Sequence, residues 1–190
     1  MPRADTRDML VLRAGVEVPA TIATGSPRRR LQIAALFPGV VFTEIRGNVD
    51  TRLRKIGEQH VADGSILAAA GLQRLGISTW PGIEFMPLTF EHMVPAVGQG
   101  AIGVQCRVDD AAKFAAVLDA ATARTVTLER AFQSALGAGC HTAFAAHATA
   151  TTMYLFHETV GLHRLPLTEA DFSAPVATAD RFLRQLGLLP

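Results

Sequence analysis

Two clusters of arginine residues lie close together in the sequence, and each follows a turn of small residues. The first cluster is Thr24-Gly-Ser-Pro-Arg-Arg-Arg30, and the second runs from Arg46 to Lys55. Seven basic residues in this region face only Glu44 and Asp50, a local excess of five positive charges in a chain whose net charge is +1. A planar guanidinium group donates two parallel hydrogen bonds to a carboxylate or a phosphate. The clusters therefore predict a binding site for a ligand that carries several negative charges.

The secondary structure around the clusters is predicted to bring them together. Ser26 is a suitable N-cap and Pro27 a suitable first helical residue, so a helix should begin there and end before Pro38. A second helix should begin near Asp50. Buried strands are expected at 18–24, 40–45 and 65–70. This βαβαβ order predicts an α/β fold class with a parallel sheet, in which both clusters follow the carboxyl ends of strands and can bind anions.

The rest of the chain is predicted to form a hinge and a second, smaller domain. Pro95 to Arg107 places three glycines in an otherwise strand-like stretch, which is typical of a hinge or of close approach to a ligand or another backbone. An alanine-rich helix is expected from Asp109 to about Ala120, followed by a longer helix, three short strands and a closing helix. The predicted organisation is an α/β anion-binding domain at 1–95, a hinge with a strand and helix at 96–120, and an α+β domain with a short antiparallel sheet at 121–190.

Composition and spacing argue against several other classes of protein. Only two cysteines are present, Cys106 and Cys140, and neither belongs to a Cys-x-x-Cys pair, which excludes a zinc ribbon. The six histidines show no i, i+4 pairing, so no metal site is expected. No apolar run approaches the roughly 18 residues needed to span a bilayer, and no aromatic residues alternate with the arginines as in single-strand nucleic-acid binding. We therefore expect a cytoplasmic protein whose partners include neither a membrane nor a nucleic acid.

Two plainer interpretations stand beside these. Arginine runs are also common on solvated faces and on nucleic-acid-binding patches. Cys106, which follows the apolar residues Ile102 to Val104, has the sequence context of an inert buried cysteine. Residue spacing alone leaves the first alternative open.

Five segments in order resemble one enzyme family. Thr24-Gly-Ser-Pro-Arg-Arg29 matches a Thr-Ser-Ser-Leu-Arg-Arg turn at four of six positions, and Arg46 to Lys55 matches an Arg-Gly-Asn-x-x-Thr-Arg-Leu-x-Lys run throughout. The other three are Ala70 to Gly76, Pro95 to Ala101 and Glu129 to Phe132. Together they resemble the second and third domains of hydroxymethylbilane synthase, also called porphobilinogen deaminase. The resemblance implies a first domain of the periplasmic-binding-protein type in this chain, followed by a small cofactor-attachment domain.

The resemblance also implies a chemistry. The family is a transferase of heme biosynthesis that joins porphobilinogen units head to tail into a linear tetrapyrrole. It does so on a dipyrromethane cofactor held through a thioether to a cysteine in a Gly-Gly-Cys loop, which corresponds here to Gly137-Ala-Gly-Cys140. By position, the cofactor-binding residues are Cys140, Thr24, Ser26, Arg28, Arg29 and Arg52. The residues for the incoming porphobilinogen are Arg46 and Arg52.

The sequence departs from the family pattern at its start. A whole domain precedes the opening Pro2-Arg-Ala-Asp-Thr-Arg-Asp8 in the family, and that domain carries the catalytic aspartate, so no catalytic residue is assigned here. The stretch Gly103 to Arg107 would complete the sheet of that domain, and we expect it to pair with something else. Two hypotheses follow. Either the chain is a transferase whose missing domain is supplied by a separate chain or lies upstream of a misplaced gene start, or it is a non-catalytic remnant or binding module for anionic pyrroles.

Overall fold

The computed structural model describes residues 1–139 and 142–190, and Cys140 and His141 lie outside the described residues. A first sheet of five strands has the order β3-β2-β4-β1-β5. Its strands are β1 (Asp8–Arg13), β2 (Thr21–Ala23), β3 (Val41–Thr43), β4 (Gly64–Ala68) and β5 (Ile83–Pro87). The helices that accompany it are α1 (Pro27–Leu36), α2 (Val49–Gly57) and α3 (Ala69–Arg74).

The parallel part of this sheet is the part that the sequence predicts. β2 pairs parallel with both β3 and β4, and α1 and α2 form the crossovers between them. The expectation of a wholly parallel sheet is wrong, because β1 runs antiparallel to its neighbours β4 and β5. The sheet is therefore mixed, within an α/β architecture.

No strand is predicted at the position of β5, because Pro81 and Pro87 are typical of loops. β5 lies at the edge of the sheet, where a strand tolerates Pro87 because the missing N–H would face away from the ladder. β1 alternates its side chains between the two faces of the sheet. Leu10 packs with Ile33 of α1, and Val11 packs with Leu53 of α2, so helices cover both faces.

A second sheet of three antiparallel strands follows, as predicted. It has the order β6-β7-β8, with β6 (Phe144–Ala148), β7 (Thr152–His157) and β8 (Gly161–Pro166). Two long helices pack on it, α5 (Ala120–Ala135) and α7 (Pro175–Gln185), and their apolar side chains close a common core with those of the strands. A short helix that the sequence did not predict, α6 (Glu169–Ser173), begins at a capping box formed by Thr168 and Asp171.

The segment between the two sheets differs most from expectation. Residues 101–107 form no strand, and the predicted helix at 109–120 is reduced to α4 (Ala111–Phe114) between two short 3-10 turns. Cys106 is exposed rather than buried. None of the side chains from Ile102 to Leu118 is buried against the described residues. A short helix without an apolar surface to pack on is only marginally stable, which explains why the helix predicted at 109–120 does not form over its full length.

A buried carboxylate joins the N-terminal segment, the linker and the second sheet. Glu129 of α5 is fully buried and accepts hydrogen bonds from both Nη atoms of Arg3, at 2.7 and 2.9 Å. It also accepts from the backbone amides of Gly98 and Ala148, and lies 3.1 Å from Nδ1 of His147. Both carboxylate oxygens are thus satisfied by four residues from three parts of the chain. Within the described residues, no helix is long and apolar enough to cross a membrane.

Replacement of Glu129 by glutamine is expected to lower the free energy of unfolding by about 3–5 kcal/mol, because the change leaves the largely buried Arg3 guanidinium without its counter-charge. Urea denaturation followed by circular dichroism would measure it. The matched control is Glu169→Gln, which breaks an exposed pair with Arg124 and should cost less than about 1 kcal/mol. Equal losses in the two variants would contradict the role of Glu129.

The same site makes stability depend on pH. Burial alone would raise the pKa of Glu129, but the hydrogen bonds from His147 and Arg3 outweigh it, so the pKa lies below its ordinary value of 4.5. A carboxyl whose pKa is lowered by folding contributes stability above its unfolded pKa and loses it as the pH falls through its folded pKa. We therefore expect the free energy of unfolding to decrease below about pH 4.5 less steeply in Glu129→Gln than in the wild type.

Candidate functional site

A cleft of about 560 Å³ lies between the first sheet and the second domain. One wall follows the carboxyl ends of β2 and β3 and includes Thr24, Ser26, Arg28, Arg29 and Arg52. The linker contributes Ala96, Val97 and Gln99, and the opposite wall contains Gln133, Gly139, Thr142 and Phe144. All three arginines of this lining come from the two clusters, and the cleft residues that the structure describes include no aspartate or glutamate.

Local capping explains why the two clusters begin helices. Ser26 caps α1 by accepting a hydrogen bond from the Arg29 amide at 3.4 Å, with Pro27 in the first turn as predicted. Asn48 caps α2 by accepting from the Thr51 amide at 2.9 Å. Gly47 before it has a φ of +119°, and a side-chain Cβ there would lie 2.7 Å from a carbon of Thr51. The glycine of the second cluster is therefore required by the turn.

Two of the cleft arginines are paired with a carboxylate that sequence reasoning did not identify. Asp8, at the start of β1, is fully buried. Its Oδ2 accepts from Nη1 of Arg28 at 2.7 Å, and its Oδ1 accepts from Nε and Nη2 of Arg29 at 3.0 and 2.6 Å. Arg28 also donates to the carbonyl of Val94 and is itself buried. The pair of arginines thus shares one counter-charge and keeps a net charge of +1.

The Asp8 carboxyl stays ionised in this setting. Burial alone would raise its pKa, but the charges of Arg29 and Arg28 and their hydrogen bonds outweigh it, so the pKa of Asp8 lies below its ordinary value. Of the hydrogen-bonding atoms in Arg29, Nη1 has no partner among the described residues. This guanidinium can therefore donate to a ligand through Nη1, whereas its Nε and Nη2 atoms are already bound to Asp8.

The other cluster presents its arginines differently. Arg52 lines the cleft and, among the described residues, uses only Nε, which donates to the carbonyl of Gly47 at 2.8 Å. Arg46 is exposed, lies outside the lining of the cleft, and its side chain has no hydrogen bond to the described residues. The prediction that Arg46 converges on the same cleft as the other three arginines is therefore not met. Arg30 turns away, donating to the Thr24 carbonyl and pairing with Glu44.

Arg29 and Arg52 also line a second, smaller pocket of about 290 Å³ at the start of α2.

Cys140, the predicted attachment residue, lies outside the described residues, but its neighbours Gly139 and Thr142 both line the main cleft. Within residues 1–139 and 142–190, no group of histidine, cysteine and carboxylate side chains could hold a metal ion.

Sequence reasoning missed the contributions of Asp8, Gln99, Gln133 and Phe144 to this region. Asp8 lies 20 residues before Arg28, and a charged residue in front of an apolar strand gives no signal of its partner. Gln99 could have been identified, since it lies within a glycine-rich stretch that suggested close approach to a ligand.

We expect Asp8→Asn to lower the free energy of unfolding by about 3–5 kcal/mol, because the buried guanidinium of Arg28 and the partly buried one of Arg29 lose their shared counter-charge. Chemical denaturation would measure the loss. Asp180→Asn, which breaks an exposed i, i+4 pair with Arg184, serves as the control and should change stability by less than about 0.5 kcal/mol. A fully stable Asp8→Asn protein would show that the arginines do not need this partner.

Comparison with known proteins identifies the family of the chain. The family model described as "Porphobilinogen deaminase, dipyromethane cofactor binding domain" matches residues 1–115. The porphobilinogen deaminase of Sphingopyxis alaskensis is 43% identical over 159 residues, which cover 78% of this chain and 49% of the relative. That of Coxiella burnetii is 44% identical over 152 residues, covering 77% and 48%. The chain spans about half the length of these curated relatives. It belongs to the porphobilinogen deaminase family.

Proposed function

We propose that the arginine cleft holds a dipyrromethane cofactor attached through Cys140, as part of a hydroxymethylbilane synthase-type transferase that acts on porphobilinogen. One observation carries this proposal: arginines from both clusters converge on a cleft whose other wall contains Gly139 and Thr142, the described neighbours of Cys140. Each pyrrole of such a chain bears an acetate and a propionate arm. A cleft lined by three arginines, without an acidic side chain among its described residues, fits a ligand of that charge.

We propose a different binding role for each group of polar residues at the cleft. We assign to Arg52 the strongest carboxylate contact of the lining, because both of its Nη atoms are free of hydrogen bonds to described residues. Arg29 and Arg28 add end-on donors, and the hydroxyls of Thr24 and Ser26 lie on the same wall. We assign the exposed Arg46 to the acid arms of the incoming porphobilinogen at the mouth of the site.

When bound, the dipyrromethane supplies the pyrrole carbon to which the next unit is joined. The residues of this chain hold and orient the acid arms for that step. The described residues of the cleft lining include no carboxylate that could accept hydrogen bonds from the pyrrole nitrogens. We therefore propose that turnover needs an acidic group contributed by a separate chain that binds at this cleft.

The exposed segment from Ile102 to Leu118 supports the idea of a separate chain. Its apolar side chains include Ile102, Val104, Val117 and Leu118, each more than 40% exposed. Contiguous exposed apolar residues mark interaction surfaces in soluble proteins. The alternative function is a module that binds anionic pyrroles without turnover. Consumption of porphobilinogen by the purified chain alone would contradict both proposals, since each predicts little or none.

Three further assignments accompany this function. We propose that the first domain is of the periplasmic-binding-protein type, with boundaries at 1–95, 96–120 and 121–190. We propose a cytoplasmic location on the evidence of only two cysteines in 190 residues. We expect neither nucleic acid nor membrane as a partner, since Arg28 and Arg29 are engaged with Asp8 at a cleft rather than displayed on an open face.

Attachment through Cys140 predicts a mass change. Incubation with preformed hydroxymethylbilane should add a pyrrole adduct to the wild type in a minor fraction of molecules, because the cleft lacks the carboxylate that would hold the ring nitrogens. Intact-protein mass spectrometry would detect it. Cys140→Ser should abolish the adduct, while Cys106→Ser, which removes the exposed cysteine of the linker segment, should leave it unchanged. An adduct that survives in Cys140→Ser would disprove the assignment.

The proposed role of Arg52 predicts a loss of affinity. We expect Arg52→Gln to weaken porphobilinogen binding by roughly 10- to 100-fold, since each hydrogen bond to a charged group contributes about 1.5–3 kcal/mol. Isothermal titration calorimetry would measure this change. The control is Arg54→Gln, two residues along α2, whose side chain is exposed and pairs weakly with Glu58. Similar affinities for the two variants would assign the binding to another part of the surface.

A further inference from the structure

The backbone and side chain of Gln99 are held from three directions. Its amide donates to the carbonyl of Ala96 at 2.9 Å, and its own carbonyl accepts from Nε of Arg3 at 2.9 Å. Its side-chain nitrogen, Nε2, donates to the backbone carbonyl of Thr6 at 2.7 Å. Gln99 also lines the arginine cleft. A residue fixed at these three points presents one defined surface to the cleft.

The contact with Thr6 decides which way the side-chain amide faces. A backbone carbonyl only accepts hydrogen bonds, so the NH₂ group of Gln99 must face it and the oxygen must face away. That oxygen, Oε1, has no partner among residues 1–139 and 142–190. The one buried side-chain polar atom without a partner in the described part of the chain is Nε1 of Trp80. Oε1 of Gln99 is therefore accessible from solvent.

Few other groups in the cleft can offer an acceptor in a fixed place. The arginines only donate. Oγ1 of Thr24 and Oγ of Ser26 already accept from the backbone amides of Ser26 and Arg29. Gln133 lines the cleft, but its side chain makes no hydrogen bond to the described residues that would orient it. Gln99 thus supplies a side-chain carbonyl oxygen held in one orientation, in a cleft whose three arginines can only donate.

We infer that Oε1 of Gln99 accepts a hydrogen bond from the ring N–H of a pyrrole held in this cleft. This inference rests on the proposed function, and it adds a selectivity residue to it. The arginines recognise carboxylates of any scaffold, whereas a fixed acceptor favours a scaffold that also carries an N–H donor. The ligand class is therefore an acid-substituted ring with an N–H group, in preference to a ring of the same shape without one.

The test compares two probes on the wild-type chain. One probe is porphobilinogen, and the other is its furan analogue, in which the ring oxygen replaces the N–H and the acid arms are the same. Calorimetry should show that porphobilinogen binds about 3- to 10-fold more tightly, the effect of a single hydrogen bond. Equal affinities would overturn the inference while leaving the arginine cleft intact. Failure of both probes to bind would overturn the proposed function and this inference together.

Two variants then locate the discrimination. Gln99→Met keeps the length of the side chain, removes the acceptor and should bind the two probes equally. Gln133→Met changes the other glutamine of the lining and should keep the wild-type preference. Preference retained in Gln99→Met would overturn the inference. Since the probe comparison on the wild type needs no variant, the inference stays testable even where Gln99→Met proves unstable through loss of its bond to Thr6.

Discussion

The candidate site depends on the burial of Asp8 between two arginines. Removing three charged groups from water is costly, and the cost is offset only while the hydrogen-bonding geometry holds. Asp8 begins the strand that pairs with both β4 and β5, while Arg28 and Arg29 begin the helix that follows β2. The ion pairs therefore connect the antiparallel strand of the sheet to its parallel part. They also determine which guanidinium atoms remain for a ligand.

A second buried carboxylate organises the opposite side of the cleft in the same manner. Glu129 holds Arg3 and the amide of Gly98, so the linker lies against α5 rather than free in solution. Asp8 supports the wall that contains Arg28 and Arg29, and Glu129 lies on α5, which contributes Gln133 to the opposite wall. Both use a single carboxylate to satisfy groups that are distant in sequence. An apolar cluster of Val94 and Phe90 with Tyr154 and Phe156 of β7 adds to these contacts between the segment after β5 and the second sheet. Gln99 is fixed through the same residue, Arg3.

Local features of the fold and site were predictable from sequence, and long-range ones were not. Ser26, Pro27 and the glycine at 47 encode their turns within a few residues, so the helix starts and the direction of the arginine clusters could be predicted. β5 was missed because Pro87 is tolerated only in a strand at the edge of a sheet, and the place of a strand in the sheet is decided by tertiary contacts. The partnership of Asp8 with Arg28 likewise appears only when β1 is placed. The 101–118 segment follows a helical and strand-like pattern, yet pattern alone cannot provide a surface to pack on.

The exposed apolar segment also bears on how the chain behaves at high concentration. A net charge of +1 gives molecules almost no mutual repulsion near neutral pH, and Val108 and Leu118 are 91% and 56% exposed. Charge repulsion then does not oppose attraction between the exposed apolar segments of different molecules, so the isolated chain is expected to aggregate at high concentration. A molecule that binds this segment in the folded protein would raise both the solubility of the chain and its apparent stability. The two sheets would keep their structure, while the solubility of the chain would depend on the seventeen residues from Ile102 to Leu118.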